Sequence, residues 1–509
     1  MEDKKISDAI TKKEIENWKP GEIIFIKAGT GKGKSYFIKN RLYEFAKKIN
    51  KKILMLVHRR DCGTQFQGEI DAGNKSDFIH IKTYQYIEFH AEKFDFSQYQ
   101  YIVCDESHYY ISDAAFNKTT DIGLEAVLKQ RDKVKIFMSA TGDKIERYLA
   151  NRKGLNPRHY PSKELEKEFL NFNFIKTLSF FKKDETLEGF VQTAIRDKIK
   201  AIFFIHNAEK AYKLYSKYKE HCLFNCSKHN KRYYQYVNAE KIDEMLHNER
   251  FDSLILITTT CMDAGVSIKD KELKDIVCDV KDTDTLIQCI GRKRILDETD
   301  KLNLYIKNIS NQQIGGTQTK LNRKLKKADF FREYGTKKYI EKYGRDPDSH
   351  SIVYDEVTDD ENKGIKKLNE LMYYKCKLDV FEIEIMKTHK YFHYANYLAY
   401  ILGFYDKEFD DFSYNFIEDT NDQIELESYL DSMVGRVMLS RKDRTELIEK
   451  INVRDGNNNR LLRNINILNG KLQETKMNYI IEQFETSRII HDKKRNFKQA
   501  WKVRRLCDY

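Results

Sequence analysis

Ala28-Gly29-Thr30-Gly31-Lys32-Gly33-Lys34-Ser35 is the stretch with the clearest chemistry. Its glycines let backbone N–H groups curl around an anion, and a helix opening just after them adds partial positive charge. Lys34 is placed to reach the β- and γ-phosphates of a nucleotide, and the Ser35 hydroxyl to ligate Mg²⁺. Ala28 stands where many such loops carry glycine, a small departure in size. A second group of reactive side chains follows at Asp105-Glu106-Ser107-His108. In a phosphoryl-transfer site an acidic pair of this kind divides the work: Asp105 holds the metal and Glu106 polarises the attacking water. Downstream, Ser139-Ala140-Thr141 offers two hydroxyls that could bond the acidic segment and relay the nucleotide state.

These residues need elements to position them, and the sequence supplies buried strands. Ile23–Ile26 precedes the glycine-rich loop, and Tyr36–Leu42 after it has the apolar spacing of a helix. Ile53–Val57 ends in His58-Arg59-Arg60, with Gln65 beyond. Ile79–Gln85 ends on Thr83, Tyr101–Cys104 delivers Asp105, and Lys135–Met138 delivers Ser139. Polar groups at strand ends lie along the carboxyl edge of an α/β sheet, where ligands bind. Arg59, Arg60, Gln65 and Thr83 there suit the phosphates of a nucleic-acid strand, with local capping and surface charge as the alternative. Trp18, just upstream of the loop, could stack on a base or simply pack.

A second set of strands, Lys200–Asn207, Leu254–Ile257 and Ile276–Val280, alternates with helices and predicts a second parallel sheet. It carries Thr258-Thr259-Thr260-Cys261-Met262-Asp263-Ala264-Gly265 and Gln288-Cys289-Ile290-Gly291-Arg292-Lys293-Arg294. The order Gly-Lys-Ser, Asp-Glu-Ser-His, Ser-Ala-Thr resembles motifs I to III of superfamily 2 helicases of the DEAD/DEAH-like type. The second set resembles their motifs IV to VI, so the resemblance spans roughly residues 20–300, and the general look of the motifs suggests a phage or mobile element. It implies two RecA-like lobes with ATP and Mg²⁺ in the cleft between them. Lys34, Asp105, Glu106, Gln288, Arg292 and Arg294 would be catalytic, and residues 28–35 would bind ATP. Arg292 would enter the cleft as an arginine finger. Arg294 stands one residue short of the family's second arginine, where Ile295 is found. His108, Ser139, Thr141, Asp263 and Gly265 would couple the lobes, and Thr258 and Thr259 would meet backbone phosphates. No upstream glutamine motif of the DEAD-box type is evident.

His221, Cys222, Cys226 and His229 have a metal-like composition, but the spacing lacks a second knuckle and Cys222–Cys226 reads equally as a buried strand. Beyond about residue 310 the apolar residues recur at helical spacing. Tyr391–Tyr400 is aromatic enough to stack bases or to fill a helical core. The tail from Lys493 to Arg505 interleaves cations with Phe497 and Trp501, which suits either phosphate contact or a solvated helix face.

The expected organisation is therefore α/β: a RecA-like lobe at 1–160, a second at 161–310 and a mainly helical accessory domain at 311–509. A chain of 509 residues with 33% charged residues fits about three soluble domains. The start lacks an apolar signal segment and no long apolar run occurs, so a cytoplasmic place without membrane contact is expected, the host cytoplasm for a phage product. Nine scattered cysteines agree with a reducing compartment, and the net charge of +12 favours a polyanion. The expected activity is an ATP-dependent helicase or translocase on DNA, single-stranded or duplex. RNA as substrate and a nucleotide-switched clamp that does not translocate are the alternatives.

Overall fold

The computed structural model describes residues 4–506 except 30, 59, 116, 118, 153, 164, 166–171, 263–265, 345–351, 357–364, 389–392, 456–459 and 491–492. At 60–65, 115, 490 and 493 it describes the backbone. The first lobe is built on β1 (Ile23–Lys27), β2 (Lys52–Val57), β3 (Ile79–Thr83), β4 (Tyr99–Cys104), β5 (Val134–Ser139) and β6 (Arg158–Tyr160). All pair in parallel, in the order β3-β2-β4-β5-β1-β6. Their unbroken apolar runs follow from burial on both faces, since helices cover each side of a parallel sheet. The order also sets β4, β5 and β1 side by side. The loops leaving their carboxyl ends, which carry Glu106, Thr141 and Lys34, are thereby neighbours.

The second lobe has β7 (Ile175–Phe181), β8 (Lys200–Ile205), β9 (Cys222–Asn225), β10 (Ile255–Thr258), β11 (Leu273–Asp279) and β12 (Leu302–Lys307). These are again parallel, ordered β7-β12-β11-β8-β10-β9. Two RecA-like sheets are thus present. Cys222 lies in β9 and, like Cys226, is buried, as a strand reading of that stretch requires.

The residues after 310 do not form one body. Ser310 caps the helix Asn311–Tyr343 through a capping box with Gln313, and left-handed Gly335 breaks that helix in two. Asn369 caps the helix Glu370–Met386 and also donates from Nδ2 to the Ala114 carbonyl at 3.1 Å. Leu371, Met372 and Cys376 of this helix share one apolar core with Tyr109, Tyr110 and Leu124 of the first lobe. Contacts consequently divide the chain into residues 1–414 and 415–509, not at 310. In the aromatic stretch, Tyr394, Ala395 and Leu398 are buried, so there the core reading prevails over base stacking.

Residues 415–509 combine the helices Ile417–Met433, Thr445–Ile451 and Ile465–Glu474 with an antiparallel sheet. The strand Lys493–Arg505 is its middle member, between Val437–Met438 and Tyr479–Ile490. The basic tail is therefore a strand, not a helix face. Its period-2 burial, with Trp501 and Val503 inside and Lys502 and Arg504 outside, was hidden by the surrounding cations. Trp501 packs with Leu430, Leu447 and Leu468 beneath the Arg444 guanidinium, 4.6 Å from its ring. Trp501→Ala is expected to destabilise this unit by about 3–5 kcal/mol, the usual cost of emptying a buried aromatic site. Urea unfolding followed by circular dichroism measures it; an unchanged transition would mean that the indole is not part of the core.

Candidate active site

β1 runs into a loop in which Gly31 and Gly33 both have φ of 81°, a left-handed conformation that side chains resist. Lys34 opens the following helix and is buried, and its Nζ donates to the carbonyls of Ala28 at 2.7 Å and Gly29 at 3.2 Å. The ammonium thus lies inside the curl of the loop. Ser35 follows it, partly exposed. Thr30 lies outside the described residues.

Asp105 stays tied to the sheet through its N–H, which donates to the Leu56 carbonyl at 2.9 Å. Glu106 then takes a φ of 49°, sparsely populated for a residue with a side chain, and Ser107 N–H donates to the Met138 carbonyl at 2.8 Å. This kink aims the Glu106 carboxylate away from the strand. Its Oε2 is buried without a hydrogen bond, 3.5 Å from His108 Nδ1. Burial would raise Glu106, but Lys34, His108, Arg292 and Arg294 outweigh it and hold its pKa below the ordinary value. Burial and the adjacent Glu106 raise Asp105 to about 7. Burial lowers Lys34 despite the attraction of Glu106 and Asp105, and Arg294 and Arg292 push in the same direction. Five charged groups, three from the first lobe and two from the second, therefore sense one another.

A continuous polar path joins the lobes. His108 Nδ1 shares a hydrogen bond with Ser139 Oγ at 3.0 Å, and Ser139 Oγ accepts from Thr141 N–H at 3.0 Å. Thr141 Oγ1 in turn accepts from Gln288 Nε2 of the second lobe at 3.0 Å. Gln288 sits on the helix Thr283–Ile290, and its Oε1 accepts from Arg292 Nη2 at 2.9 Å. Arg292 is 2% exposed and also donates from Nε to the Gln288 carbonyl and from Nη1 to that of Val266. Arg294 donates from Nε to Ser267 Oγ at 2.9 Å, and its Nη1 would lie 4.0 Å from a Cβ built on Gly31. Arg294 is thus placed against the glycine-rich loop, while Arg292, bonded to Gln288 and Val266, still acts on Glu106 and Asp105. Burial, and then Arg292, lower Arg294 to about 10.

Several expected contacts resolve differently. Thr83 caps the helix Tyr84–His90, its Oγ1 accepting from Tyr86 N–H at 3.1 Å, which is the local alternative to phosphate binding. Thr258 is fully enclosed and donates to the Thr259 carbonyl at 3.1 Å, and Thr259 is 7% exposed. Buried at a strand end, neither hydroxyl presents itself to a phosphate. Trp18 is buried, its Nε1 donating to Tyr160 Oη at 3.4 Å, so it packs and does not stack on a base. Arg59, Asp263 and Gly265 lie outside the described residues, as do the side chains of Arg60 and Gln65.

Two contributors were missed. Lys5 donates from Nζ to the Gly31 carbonyl at 3.3 Å and Ile6 N–H to that of Lys32 at 2.9 Å, so the amino-terminal segment braces the loop. Its polar sequence gave no such signal. Lys144, three residues past Thr141, lies 3.0 Å from Asp284, 3.1 Å from Asp379 and 3.4 Å from Glu382. It joins the first lobe, the helix bearing Gln288 and the helix Glu370–Met386. Burial alone would lower Lys144, but Asp284, Glu382 and Asp379 hold its pKa well above the usual lysine value. Burial raises Asp284 to about 6 even so.

Lys144→Met strands Asp284, whereas Asp379 keeps Lys375 at 2.6 Å and Glu382 keeps the Tyr397 hydroxyl at 3.1 Å. Removing one partner of a buried ion network typically costs about 3–5 kcal/mol. A carboxylate with a raised pKa favours the folded state while protonated and loses that contribution as pH rises through the folded value. The melting temperature of Lys144→Met should accordingly fall much further below wild type at pH 7.5 than at pH 5. Equal deficits at both pH values would show that Asp284 does not carry the effect.

No protein-family model matches the chain. No curated protein matches it either. Solved structures that resemble it include S. cerevisiae Dbp5 bound to RNA and ADP BeF3, at 17% identity over 59% of this chain and 83% of that one, with a TM-score of 0.43. The Escherichia coli DEAH/RHA helicase HrpB gives 13% identity over 61% and 46%, TM-score 0.43. Mycobacterium smegmatis helicase Lhr bound to ssDNA and AMP-PNP gives 12% over 60% and 46%, TM-score 0.41. Likeness at this level carries neither family nor activity to the chain, whose fold class rests on its own strand order.

Proposed function

We propose that this protein is a nucleic-acid-dependent ATPase, a helicase or translocase that acts on DNA. The observation that carries the reading is the convergence of Lys34, Asp105 and Glu106 from one sheet with Arg292 and Arg294 from the other. Phosphoryl transfer needs cations around the γ-phosphate and a group that orients water, and little covalent chemistry beyond that. Lys34, released from the Ala28 and Gly29 carbonyls, meets the β- and γ-phosphates. Glu106, charged and without a hydrogen bond at Oε2, accepts a proton of the attacking water. Arg294 neutralises charge that develops on the γ-oxygens, and Arg292 holds the segment that delivers it. Gln288, Thr141, Ser139 and His108 transmit the state of that site from lobe to lobe.

Ser35 and Asp105 supply hard oxygen donors, which suit Mg²⁺. Asp105, raised by burial beside a second carboxylate, fits a place made for a cation. The ion would add Lewis-acid stabilisation of the β- and γ-oxygens when bound.

Net charge favours a polyanionic partner, and no helix among the described residues is long and apolar enough to cross a membrane. ATP turnover alone and with single-stranded DNA, duplex DNA or RNA tests the reading, with Lys34→Ala as the blank. DNA should stimulate wild type, and Lys34→Ala should be inactive. No turnover under any condition, or turnover that persists in Lys34→Ala, would overturn it.

A further inference from the structure

The antiparallel ribbon Tyr479–Ile490 and Lys493–Arg505 changes character along its length. At its base, Ile481, Trp501 and Val503 are buried in the core of residues 415–509. Toward its far end, Ser487, Arg488, Ile489, Lys494, Arg495 and Asn496 are all exposed. Successive strand residues point to opposite faces, so exposure at consecutive positions means that both faces are uncovered there. This half of the ribbon projects from its core.

Its charge is one-sided. Between Glu485 and Lys498 the sequence has Arg488, Lys493, Lys494, Arg495 and Lys498 against Glu485 and Asp492. The base is different: Glu482 lies 2.7 Å from Arg504 and 3.3 Å from Lys502, so its cations are compensated. Arg488 and Arg495 are direct cross-strand partners. Like charges directly opposite one another destabilise a ribbon. An arrangement that costs stability, on a projecting arm with no apolar cover, is relieved by an anion that meets both guanidiniums.

Face by face, Arg488 and Arg495 fall with Thr486 and Phe497 on one side, and Lys494 with Ser487, Ile489 and Asn496 on the other. Cations on both faces suit a partner that presents phosphates on two sides. The major groove of B-form DNA is about 12 Å wide, admits a two-stranded β-ribbon and has a phosphate chain along each edge. The deep, narrow major groove of A-form RNA does not admit it. A single strand is held chiefly by a run of stacking aromatics, and Phe497 is the one aromatic described between Glu485 and Lys498.

We propose that this ribbon is a duplex-DNA-binding arm, seated in the major groove with Arg488, Lys494, Arg495 and Lys498 on the flanking phosphates. The proposal rests on the nucleic-acid reading above and gives it a substrate form: the protein grips duplex DNA with residues outside the ATP site. None of the four side chains belongs to the ATP machinery, so the arm and the motor are separable by mutation.

The test uses the full chain and a quadruple variant, Arg488→Ser, Lys494→Ser, Arg495→Ser, Lys498→Ser. A control, Lys471→Ser with Lys476→Ser, removes exposed cations elsewhere in the same unit. Fluorescence anisotropy gives affinities for duplex DNA, single-stranded DNA and duplex RNA of equal length across a range of salt. The quadruple variant should lose duplex-DNA affinity at least tenfold at low salt. Its log–log salt slope should become shallower by about 3–4, since each phosphate contact contributes about 0.9. ATP turnover without nucleic acid should match wild type, the melting temperature should equal or exceed it because the facing arginines are gone, and the control should bind duplex DNA normally. Unchanged duplex affinity and slope in a folded quadruple variant would overturn the arm. So would an equal loss for all three nucleic acids, or an equal loss in the control. Failure of wild type to bind any nucleic acid would instead count against the functional reading on which the arm rests.

Discussion

Arg294→Ala is expected to lower ATP turnover by about 10³–10⁵-fold, the contribution of arginine fingers in phosphoryl transfer, with ATP affinity nearly unchanged. The reason is geometric. Arg294 reaches across from the second lobe to the glycine-rich loop, its Nη1 4.0 Å from a Cβ built on Gly31, and its Nε bond to Ser267 fixes the direction of approach. A cation that arrives with the opposite lobe matters most as charge builds on the γ-oxygens, so the loss should appear in kcat and not in KM. Arg292→Ala should also reduce turnover, but by a different route. Its guanidinium holds Gln288 and the Val266 carbonyl, so its loss should lower the melting temperature as well, and by more than Arg294→Ala, which gives up only the bonds to Ser267 and the Gly291 carbonyl. Single-turnover kinetics with fluorescent-nucleotide binding separate the two. A wild-type rate for Arg294→Ala would remove the second lobe from the chemistry.

Glu106→Gln is expected to abolish turnover by about 10²–10⁴-fold, the usual range for a positioned general base, while ATP and Mg²⁺ still bind. Glu106 is partly buried, its enclosed Oε2 lacks a hydrogen bond and its pKa is depressed, so at neutral pH it is an anion with a free acceptor. Glutamine has the same size and leaves the backbone at its φ of 49°, but it cannot take a proton. Stability should be equal or lower, because a depressed pKa means that the surrounding cations stabilise the charge that is removed. Steady-state hydrolysis and nucleotide binding measure both halves, and hydrolysis at the wild-type rate would assign the water to another group.

Much of this site was legible because its signals are local. The loop glycines, Lys34, the strand leading to Asp105 and the hydroxyls of Ser139 and Thr141 are each fixed by a few adjacent residues. The central strands of both parallel sheets were legible too, since strands buried on both faces read as continuous apolar runs. β6 and β7, in a stretch that reads as a charged connector, and β12, buried only at alternate positions, were not. What the sequence concealed depends on distant contacts. Lys144 lies close in sequence to Thr141, yet nothing in either stretch connects it with Asp379 and Glu382 some 235 residues away. The bonds of Arg292 to Gln288 and the Val266 carbonyl were not legible, because spacing says nothing about which guanidinium the neighbouring chain engages. The terminal ribbon was missed because cations flank Trp501 and Val503 and blur the alternation that marks a strand.

The central claim is that two lobes share one ATP site, and hydrogen exchange on the Glu106→Gln protein tests it most directly. With ATP and Mg²⁺ added, amides of residues 28–35 in the first lobe and 288–294 in the second should become protected together, and Arg294→Ala in the same background should abolish the second protection. Protection confined to residues 28–35, with 288–294 exchanging as in the nucleotide-free protein, would contradict a shared site.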